Sequence, residues 1–223
     1  MLVSVIVPLL DDTAAAAALV GQILPDPRTE VILVDGGSDA VLDRLAGQRP
    51  DVRLIRSPPG RARQMNAGAA SAEGTWLLFL HADSSLPAGW LDAFEHVLPQ
   101  ISGGWFRFAL DDAAWQARVI ERGVRWRVRV FGLPYGDQGL FVRREMFRQL
   151  GGYRDLPLME DVDFVRRVRR QGRVVELSLA LRTSSRRWRR DGWWRRSASN
   201  LALVTLYFAG ISPVRLAAWY RRR

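Results

Sequence analysis

Four short apolar runs alternate with segments of helical composition over the first 80 residues, and this alternation restricts the possible folds more than any other feature. The runs are rich in β-branched and large apolar residues, as strands are, and they span residues 3–7, 31–34, 52–56 and 76–80. The segments between them have helical composition and lie near residues 12–23, 40–47 and 61–72. This order predicts an α/β protein with a doubly wound, mainly parallel sheet flanked by helices.

The second half of the chain has a less regular pattern. It predicts a strand over 105–110, an amphipathic helix over 112–130, a short strand over 140–142 and a helix from 158 to 171 that ends at Gly172. In the last of these helices, valines 162, 165 and 168 are expected to face inward, and arginines 166, 167, 169 and 170 to face outward.

Charge is distributed unevenly along the 223 residues. The formal net charge is +10. Residues 1–110 contain 8 arginines and 12 acidic residues, whereas residues 111–223 contain 25 arginines and 11 acidic residues. This asymmetry predicts that the second half meets an anionic group, such as phosphates, lipid headgroups or nucleic acid. The chain has no cysteine, which excludes disulfides, thiolate metal sites and cysteine nucleophiles.

The C-terminal part alternates arginine with tryptophan over residues 186–196 and then becomes apolar over residues 201–211. The apolar run is shorter than the ~20 residues that a membrane-spanning helix requires. Two interpretations remain open for this segment. It is either an interfacial contact with a membrane or a C-terminal helix that packs on the core with an arginine-rich outer face. The first twelve residues lack a basic leader, and we expect a cytoplasmic protein, at the inner face of the membrane if the first interpretation holds.

His81 and Asp83 directly follow the fourth apolar run, in the stretch FLHADSS. Residues two apart on an extended strand point to the same face. Asp83 is a hard oxygen ligand suited to Mg²⁺ or Mn²⁺, and an imidazole nitrogen suits Mn²⁺ better than Mg²⁺. The competing interpretation is a histidine hydrogen-bonded to the backbone and an ordinary turn aspartate. Because ligands bind at the carboxyl ends of strands in such sheets, Asp35, Arg61, His81 and Asp83 are expected to lie at one edge.

Glu160 and Asp161 form a second acidic pair where a loop enters a helix. Acidic residues are favoured in the first turn of a helix by the helix dipole, so the pair could be purely structural. The functional interpretation is a general base, because a carboxylate there could take a proton from an attacking hydroxyl. The residues alone do not decide between these two.

Four stretches of the chain resemble, in order and spacing, the family 2 glycosyltransferases of the GT-A fold. They are VSVIVPLLDD, VILVDGGSDA, GRARQMNAGAASAEGTWLLFLHADSSLPAGWL and GLFVRREMFRQLGGYRDLPLMEDVDFVRRVRRQG. The resemblance covers roughly residues 3–173, and four motifs in order are specific although none is decisive alone. It implies a GT-A-like catalytic domain over residues 1–180, with a nucleotide-binding half (1–110) and an acceptor-side half (111–180). A basic, tryptophan-rich helical extension over 181–223 would follow.

The resemblance also implies roles for individual residues. Asp161 is expected to be the catalytic base with Glu160 beside it, and Asp83, joined by His81, to hold the divalent ion, Mn²⁺ or Mg²⁺. The residues expected at the nucleotide are Pro8, Asp35, Gly37, Arg61, Arg63, Asn66 and His81. Those expected at the sugar and acceptor are Gly136, Asp137, Gln138, Arg187 and Trp188.

Three positions depart from the family pattern. Gly36 stands where the family has a second acid after Asp35. His81 stands at the first acid of the family's Asp-X-Asp. Gln64 begins the stretch that matches the family's Ala-Arg-Asn-X-Gly, so the family's arginine is missing there, and Arg61 or Arg63 is expected to take its place at the phosphates.

The resemblance therefore predicts an inverting glycosyltransferase that uses a nucleotide-sugar donor. The acceptor is expected to be lipid-linked or near a membrane because of the C-terminal segment, and no nucleic acid is expected as a partner. The competing enzyme class is a sugar nucleotidyltransferase, although the chain lacks the glycine-rich phosphate loop and early lysine of that class. A basic module that binds anionic surfaces, or an inactive member of the family, would also fit the sequence.

Overall fold

The alternating first half of the chain folds as the parallel part of one mixed sheet in a computed structural model, which describes residues 2–10, 12–23, 25–37, 40–97 and 99–221. The described strands are β1 (Val3–Leu9), β2 (Thr29–Asp35), β3 (Val52–Arg56), β4 (Trp76–Phe79), β5 (Ser84–Ser85), β6 (Ile101–Leu110), β7 (Leu140–Arg143) and β8 (Arg173–Thr183). They pair in the order β3-β2-β1-β4-β7-β6-β8-β5.

Helices cover both faces of this sheet. The described helices are α1 (Thr13–Gln22), α2 (Ala40–Gly47), α3 (Arg61–Ser71), α4 (Trp90–Glu95), α5 (Trp115–Phe131), α6 (Arg144–Gln149), α7 (Glu160–Gln171), α8 (Arg186–Asp191), α9 (Trp193–Phe208) and α10 (Pro213–Arg221). A 3₁₀ turn (Gly136–Gln138) precedes β7.

Side chains of β1 alternate between two apolar clusters, one on each face of the sheet. Val3, Val5 and Val7 belong to one cluster, and Ile6 belongs to the other with residues of α3. Burial on both faces explains why the first strands are continuous apolar runs without polar alternation. Each fully buried side chain of this size stabilises the fold by about 1.5–3 kcal/mol. The expected doubly wound, mainly parallel sheet is confirmed, since β1, β2, β3 and β4 pair in parallel.

Pro8 lies inside β1, whereas the sequence predicted a strand that closes before it. β1 pairs with β4 only as far as Ile6, while its pairing with β2 continues to Leu9. Pro8 therefore sits where one side of the strand has no ladder partner, and its missing N–H costs no sheet hydrogen bond.

The strands β5 and β8 and the helices α4 and α6 were not predicted from the sequence. β8 pairs in parallel with β6, and Glu176, Ser178 and Arg182 interrupt its apolar residues, so its pattern lacks a long apolar run. β6 begins at Ile101, before the predicted start at 105, and α5 begins at Trp115 instead of 112.

The outward orientation predicted for Arg167 is wrong. Its guanidinium is half-buried, pairs with Asp163 (2.8 Å) and donates to the carbonyls of Leu150 and Gly152. It therefore fixes the loop after α6 to α7. The inward orientation of Val162, Val165 and Val168 is confirmed.

The C-terminal segment forms α8, α9 and α10. Leu203 and Val204 of α9 pack with Met159 and Val162 at the start of α7, so α9 is part of the core that supports this region. In the described residues, no helix is both long and apolar enough to cross a membrane.

Candidate active site

A cleft of about 150 Å³ opens where the carboxyl ends of β4 and β8 meet the start of α7. It brings together nine of the residues that the sequence singled out, from both halves of the chain. They are Arg61, His81, Asp83, Gly136, Asp137, Glu160, Asp161, Arg187 and Trp188. The expectation that polar strand-end residues share one edge of the sheet is therefore met for Arg61, His81 and Asp83.

Asp161 lies in the first turn of α7 with both carboxylate oxygens anchored. The Gly136 N–H donates to Oδ2 at 2.6 Å, and the Val162 N–H donates to Oδ1 at 2.7 Å. A side chain at position 136 would crowd this arrangement, because a Cβ there would lie 2.8 Å from Nη2 of Arg61 and 3.3 Å from Oδ2 of Asp161. Gly136 thus permits a close approach between the 3₁₀ turn and the two charged groups.

Glu160 is buried, unlike its neighbour in the chain. Its Oε1 lies 3.4 Å from Nε of Arg61. Burial raises the pKa of Glu160, the guanidinium of Arg61 opposes this rise, and the negative charge of Asp161 adds to it. The buried carboxylate of Glu160 therefore anchors the guanidinium of Arg61, while the carboxylate of Asp161 faces the cleft.

Arg61 bridges Glu160 and His81. Its Nη2 lies 2.6 Å from Nε2 of His81, and 43% of its side chain stays exposed to the open cleft. Burial, together with the positive charges of Arg61 and Arg187, holds the pKa of His81 well below its usual value. His81 is therefore neutral at pH 7, and its Nε2 accepts from Arg61 while the proton resides on Nδ1. The Nε2 lone pair of His81 is therefore occupied by the hydrogen bond from Arg61.

Asp83 has a second carboxylate in its surroundings, that of Asp12. Burial raises the pKa of Asp83, the charge of Asp12 raises it further, and Arg187 and Arg186 act in the opposite direction. Asp12 occupies the N-cap position of α1, yet its side chain makes no capping hydrogen bond and lies 3.8 Å from Nη2 of Arg186. This placement differs from the capping role that its sequence position suggests.

The donor set suits a metal that is shared with a substrate. Among the residues that the structure describes, no group of three or more histidine, aspartate or glutamate side chains is arranged to hold an ion alone. Mg²⁺ and Mn²⁺ at phosphate sites typically take one or two protein carboxylates and complete their shell with phosphate oxygens and water. Asp83, with Asp12 nearby, fits that requirement because two carboxylates raise the local negative charge without closing the shell.

Arg187 and Trp188 reach the cleft from α8. Arg187 makes no ion pair with any described residue, although its charge affects the pKa values of both His81 and Asp83. Trp188 is buried against Phe108, with the ring centroids 6.2 Å apart, and its Nε1–H donates to Oγ of Ser197. Trp188 therefore fixes α8 so that the Arg187 guanidinium lies at the cleft.

Asp137 is the most perturbed aspartate of the site. Its Oδ1 is buried and has no hydrogen-bond partner among the described residues. Burial raises the pKa of Asp137 to about 6, Arg127 opposes the rise, and Asp161 adds to it. Arg127 itself stacks on the ring of Tyr135 at 3.5 Å from the centroid.

Three of the residues predicted at the nucleotide lie beside the cleft or at the adjoining strand ends. Pro8 lines a small cavity with Arg61, His81 and Asp161. Asp35 is buried at the end of β2, where it accepts from the Gly37 N–H at 2.8 Å and pairs with Arg56. Gly37 itself is exposed.

Three further predicted residues make contacts that hold the fold. Arg63 lies outside the cleft and pairs with Asp155 at 2.7 Å. Asn66 exchanges two hydrogen bonds of 2.8 Å with the backbone of Tyr153, and buried Gln138 donates to the Phe106 carbonyl. Of the two arginines expected at the phosphates, Arg61 is thus the one in the cleft.

Two of the departures from the family pattern touch each other. The Nε2 of Gln64 donates to the carbonyls of Leu9 (2.5 Å) and Val34 (2.8 Å), at the ends of β1 and β2. A Cβ on Gly36 would lie 3.1 Å from that same nitrogen. Gln64 uses its side-chain N–H groups to satisfy these two backbone carbonyls, whereas an arginine at this position was expected to bind the phosphates. Gln64 also occupies the space that a side chain at position 36 would need.

Sequence reasoning missed Asp12 and Tyr153 as residues of this region. Tyr153 is buried beside Arg61, His81 and Asp161. Its pKa is raised well above the usual value by burial and by the charges of Asp161 and Glu160. No local pattern marks either residue, because each reaches the site through tertiary packing.

Comparison with known proteins places the chain in a family. Residues 4–130 match the sequence profile of Glycosyl transferase family 2. This match spans more than half of the chain, so the chain belongs to that family, as the four motifs indicated. No curated protein matches it in sequence.

Solved structures agree with this assignment. The mannosyltransferase PcManGT from Pyrobaculum calidifontis, in complex with GDP-Man and Mn²⁺, is similar with a TM-score of 0.63 and 18% identity over 90% of this chain and 61% of that chain. TarS 1–349 of S. aureus in complex with UDP-GlcNAc is similar with a TM-score of 0.61 and 17% identity over 82% of this chain and 58% of that chain. The chain therefore spans about three fifths of the length of these two, and the GT-A fold is confirmed.

Proposed function

We propose that this chain transfers a sugar from a nucleotide-diphosphate sugar to an acceptor hydroxyl, with inversion at the anomeric carbon. The observation that carries the proposal is the convergence, in one cleft, of an anchored carboxylate (Asp161), a second carboxylate (Asp83) and two guanidinium groups (Arg61 and Arg187). Family membership and the nucleotide-sugar complexes of similar structures support it.

Asp161 acts as the general base in this proposal. Its carboxylate takes the proton of the acceptor hydroxyl while the hydroxyl oxygen bonds to the anomeric carbon. The bond from that carbon to the diphosphate oxygen breaks on the opposite face, and the nucleoside diphosphate leaves with the electron pair. A single displacement of this kind inverts the configuration. The two backbone N–H groups on Asp161 hold its carboxylate in one orientation, which favours proton transfer.

The diphosphate of the donor lies between Arg61, Arg187 and Asp83. The two guanidinium groups neutralise and orient phosphate oxygens, and neutral His81 positions Arg61 through its Nε2. Asp83, with Asp12, would hold a divalent ion, Mn²⁺ or Mg²⁺, and such an ion would supply positive charge to stabilise the leaving diphosphate. PcManGT was solved with Mn²⁺, which supports a divalent ion in this role.

The nucleoside lies toward the ends of β1 and β2. Asp35, held by Arg56 and the Gly37 N–H, accepts hydrogen bonds from the base, and Pro8 lines the pocket. Gly136, Asp137 and Trp188 belong to the sugar and acceptor side. In this scheme residues 1–180 form the catalytic domain, and the extension over 181–223 contributes Arg187 and Trp188.

A turnover assay tests the proposal. The protein is mixed with a panel of sugar nucleotides, Mn²⁺ or Mg²⁺ and mixed acceptor extracts, and release of nucleoside diphosphate is measured. We expect release with at least one donor, and a 10²–10⁴-fold lower kcat for Asp161→Asn with KM for the donor unchanged. Release that Asp161→Asn leaves intact would contradict the assignment of the base, and no binding of any donor would contradict the function itself.

A further inference from the structure

An apolar groove of about 850 Å³ runs between α5 and α9, beside the cleft. One wall is formed by Val119, Ile120 and Val124 of α5, and the other by Leu201, Val204 and Phe208 of α9. Its volume lies within the range of about 300–1,000 Å³ that is typical of small-ligand pockets. The cleft alone, at about 150 Å³, is much smaller.

The groove keeps large apolar side chains in contact with water. Trp126 is 62% exposed and Leu201 is 60% exposed, although each lies beside other apolar residues. Scattered apolar residues are common on surfaces, but a contiguous patch of this kind marks a binding region. Phe131 and Trp194, which are also exposed, extend the patch.

The inner end of the groove adjoins the cleft. Five residues line both spaces, namely Tyr135, Asp137, Trp188, Asn200 and Val204. Asp137 and Asn200 make this junction polar, whereas the outer walls are hydrocarbon and indole. The polarity thus changes along the groove in the way that an amphiphile requires, with its apolar part outside and its polar end toward Asp161.

Three arginines line the groove, and the charge of one of them, Arg127, also acts on the buried carboxylate of Asp137. Arg127 stacks on Tyr135, Arg166 stacks on Phe208, and Arg169 donates to the carbonyls of Phe131 and Gly132. None of the three forms an ion pair with a carboxylate among the described residues. Their charges are therefore available to an anionic group on a ligand in the groove.

We propose that the groove binds the hydrocarbon chain of the acceptor, and that this acceptor is an amphiphile that carries phosphate near its polar end. The chain would lie between α5 and α9, the phosphate among Arg127, Arg166 and Arg169, and the acceptor hydroxyl at Asp161. This inference rests on the proposed function, because it places the acceptor of that same transfer. It adds a ligand-binding role to the core packing that α9 already provides.

Alkyl phosphates of 8, 10 and 12 carbons, used below their aggregation concentrations, are suitable probes. Binding is measured by titration calorimetry and by the fluorescence of the tryptophans that line the groove. We expect Kd to fall about fourfold for each added methylene. This is the change expected when a methylene group is transferred completely from water to apolar surroundings. Inorganic phosphate should bind much more weakly than any of them. An affinity that is independent of chain length would overturn the proposal.

Two variants locate the site. Leu201→Glu places a charge in the groove at an exposed position, and Val214→Glu is the matched control at a 65% exposed position of α10 outside the groove. We expect Leu201→Glu to raise the Kd of the 12-carbon probe at least tenfold and Val214→Glu to change it less than twofold. Equal effects of the two variants would overturn the assignment of the groove.

Two parallel measurements separate the remaining outcomes. Nucleotide-sugar binding should be the same in both variants and the unaltered chain. Donor binding without chain-length-dependent probe binding overturns the groove proposal alone, whereas probe binding without any donor binding overturns the proposed function and with it the acceptor role. Sedimentation velocity is the other control, because self-association abolished by Leu201→Glu would show that a second copy covers the groove and would also overturn the proposal.

Discussion

Glu160 and Asp161 show how adjacent carboxylates acquire different properties from their surroundings. Glu160 is buried beside Arg61, and burial raises its pKa. Asp161 faces the cleft and accepts two backbone hydrogen bonds, from Gly136 and Val162. The chemistry proposed for the pair follows from this difference, since the anchored, accessible carboxylate suits a base and the buried one suits a support for Arg61.

Asp137→Asn tests whether burial of that carboxylate costs stability. The rise of the Asp137 pKa from 3.8 to about 6 corresponds to roughly 3 kcal/mol. Because the folded state holds its proton more tightly than the unfolded state, stability falls as pH increases from about 4 to 6, and the cost is fully present above that window. We expect Asp137→Asn to increase the free energy of unfolding at pH 7.5 by about 1–3 kcal/mol.

Denaturant unfolding of both proteins at pH 7.5 and at pH 4 measures this effect. The advantage of the variant should shrink at pH 4, where the aspartate is protonated in the fold and partly protonated in the unfolded chain. If the variant is less stable than the unaltered chain at pH 7.5, this would contradict the conclusion that Oδ1 of Asp137 is buried without a hydrogen-bond partner.

The sequence identified nine of the residues that line the cleft but not all the reasons for their positions. Asp83, Arg61 and Asp161 follow strand ends or begin a helix, so the topology of a parallel sheet predicts their convergence. Asp12 reaches the site although its position resembles a helix cap. Gln64 is buried at strand ends where phosphate-binding chemistry was expected. Such contacts depend on the relative placement of elements, which no local pattern encodes.

At the scale of elements, α3 shows how close packing positions the cleft. Gly68 faces the sheet, and a Cβ there would lie 2.5 Å from Cγ2 of Ile6 and 2.9 Å from Cγ2 of Val34. The helix therefore approaches β1 and β2 more closely than a larger residue would allow. This approach places Arg61, at the first turn of α3, beside His81 at the end of β4.

Gly68→Ala should destabilise the fold by about 1–3 kcal/mol, the usual cost of overpacking a core. Gly21→Ala in α1 is the matched control, because a Cβ at Gly21 meets no atom within 4 Å and alanine favours helix. Thermal unfolding should show a lower Tm for Gly68→Ala and an unchanged or higher Tm for Gly21→Ala. An unchanged Tm for Gly68→Ala would show that α3 can move away without cost.

α8 provides the second prediction at this scale. Arg187→Gln removes a cleft guanidinium that has no ion-pair partner among the described residues, and Arg190→Gln removes an exposed arginine of the same helix that pairs with Asp191. Loss of a charged hydrogen bond to phosphate costs about 1.5–3 kcal/mol, so Arg187→Gln should weaken nucleoside diphosphate binding roughly tenfold or more. Calorimetry should show little change for Arg190→Gln, and equal weakening would assign the effect to overall charge.

The parallel strands β1 to β4 could be predicted because buried parallel strands form continuous apolar runs. β8 could not, because charged and polar residues interrupt its apolar residues and leave no such run. The C-terminal helices were predicted only as a choice between packing and membrane contact. The structure shows that α9 packs through Leu203 and Val204 while Leu201 and Phe208 stay exposed, so the packing interpretation holds for one face of this helix and the membrane contact stays a prediction.

At the scale of the whole molecule, the cleft and the groove show where some of the unevenly distributed charges lie. The first half supplies Arg61 and Asp83 to the cleft, whereas the second half supplies Glu160, Asp161 and Arg187 to the cleft and three arginines to the groove. Each half of the chain therefore contributes both signs of charge to the cleft, and the second half alone contributes the arginines of the groove.

The central claim is that a nucleoside diphosphate binds in this cleft with a divalent ion held by Asp83. Calorimetric titration of UDP and GDP tests it directly, with Mn²⁺ and with a chelator, on the unaltered chain, Asp83→Asn and Asp161→Asn. We predict binding of at least one nucleotide that Mn²⁺ strengthens tenfold or more, loss of that metal dependence in Asp83→Asn, and unaltered binding in Asp161→Asn. Binding of equal affinity with and without metal in all three proteins, or no binding to any of them, would contradict the account.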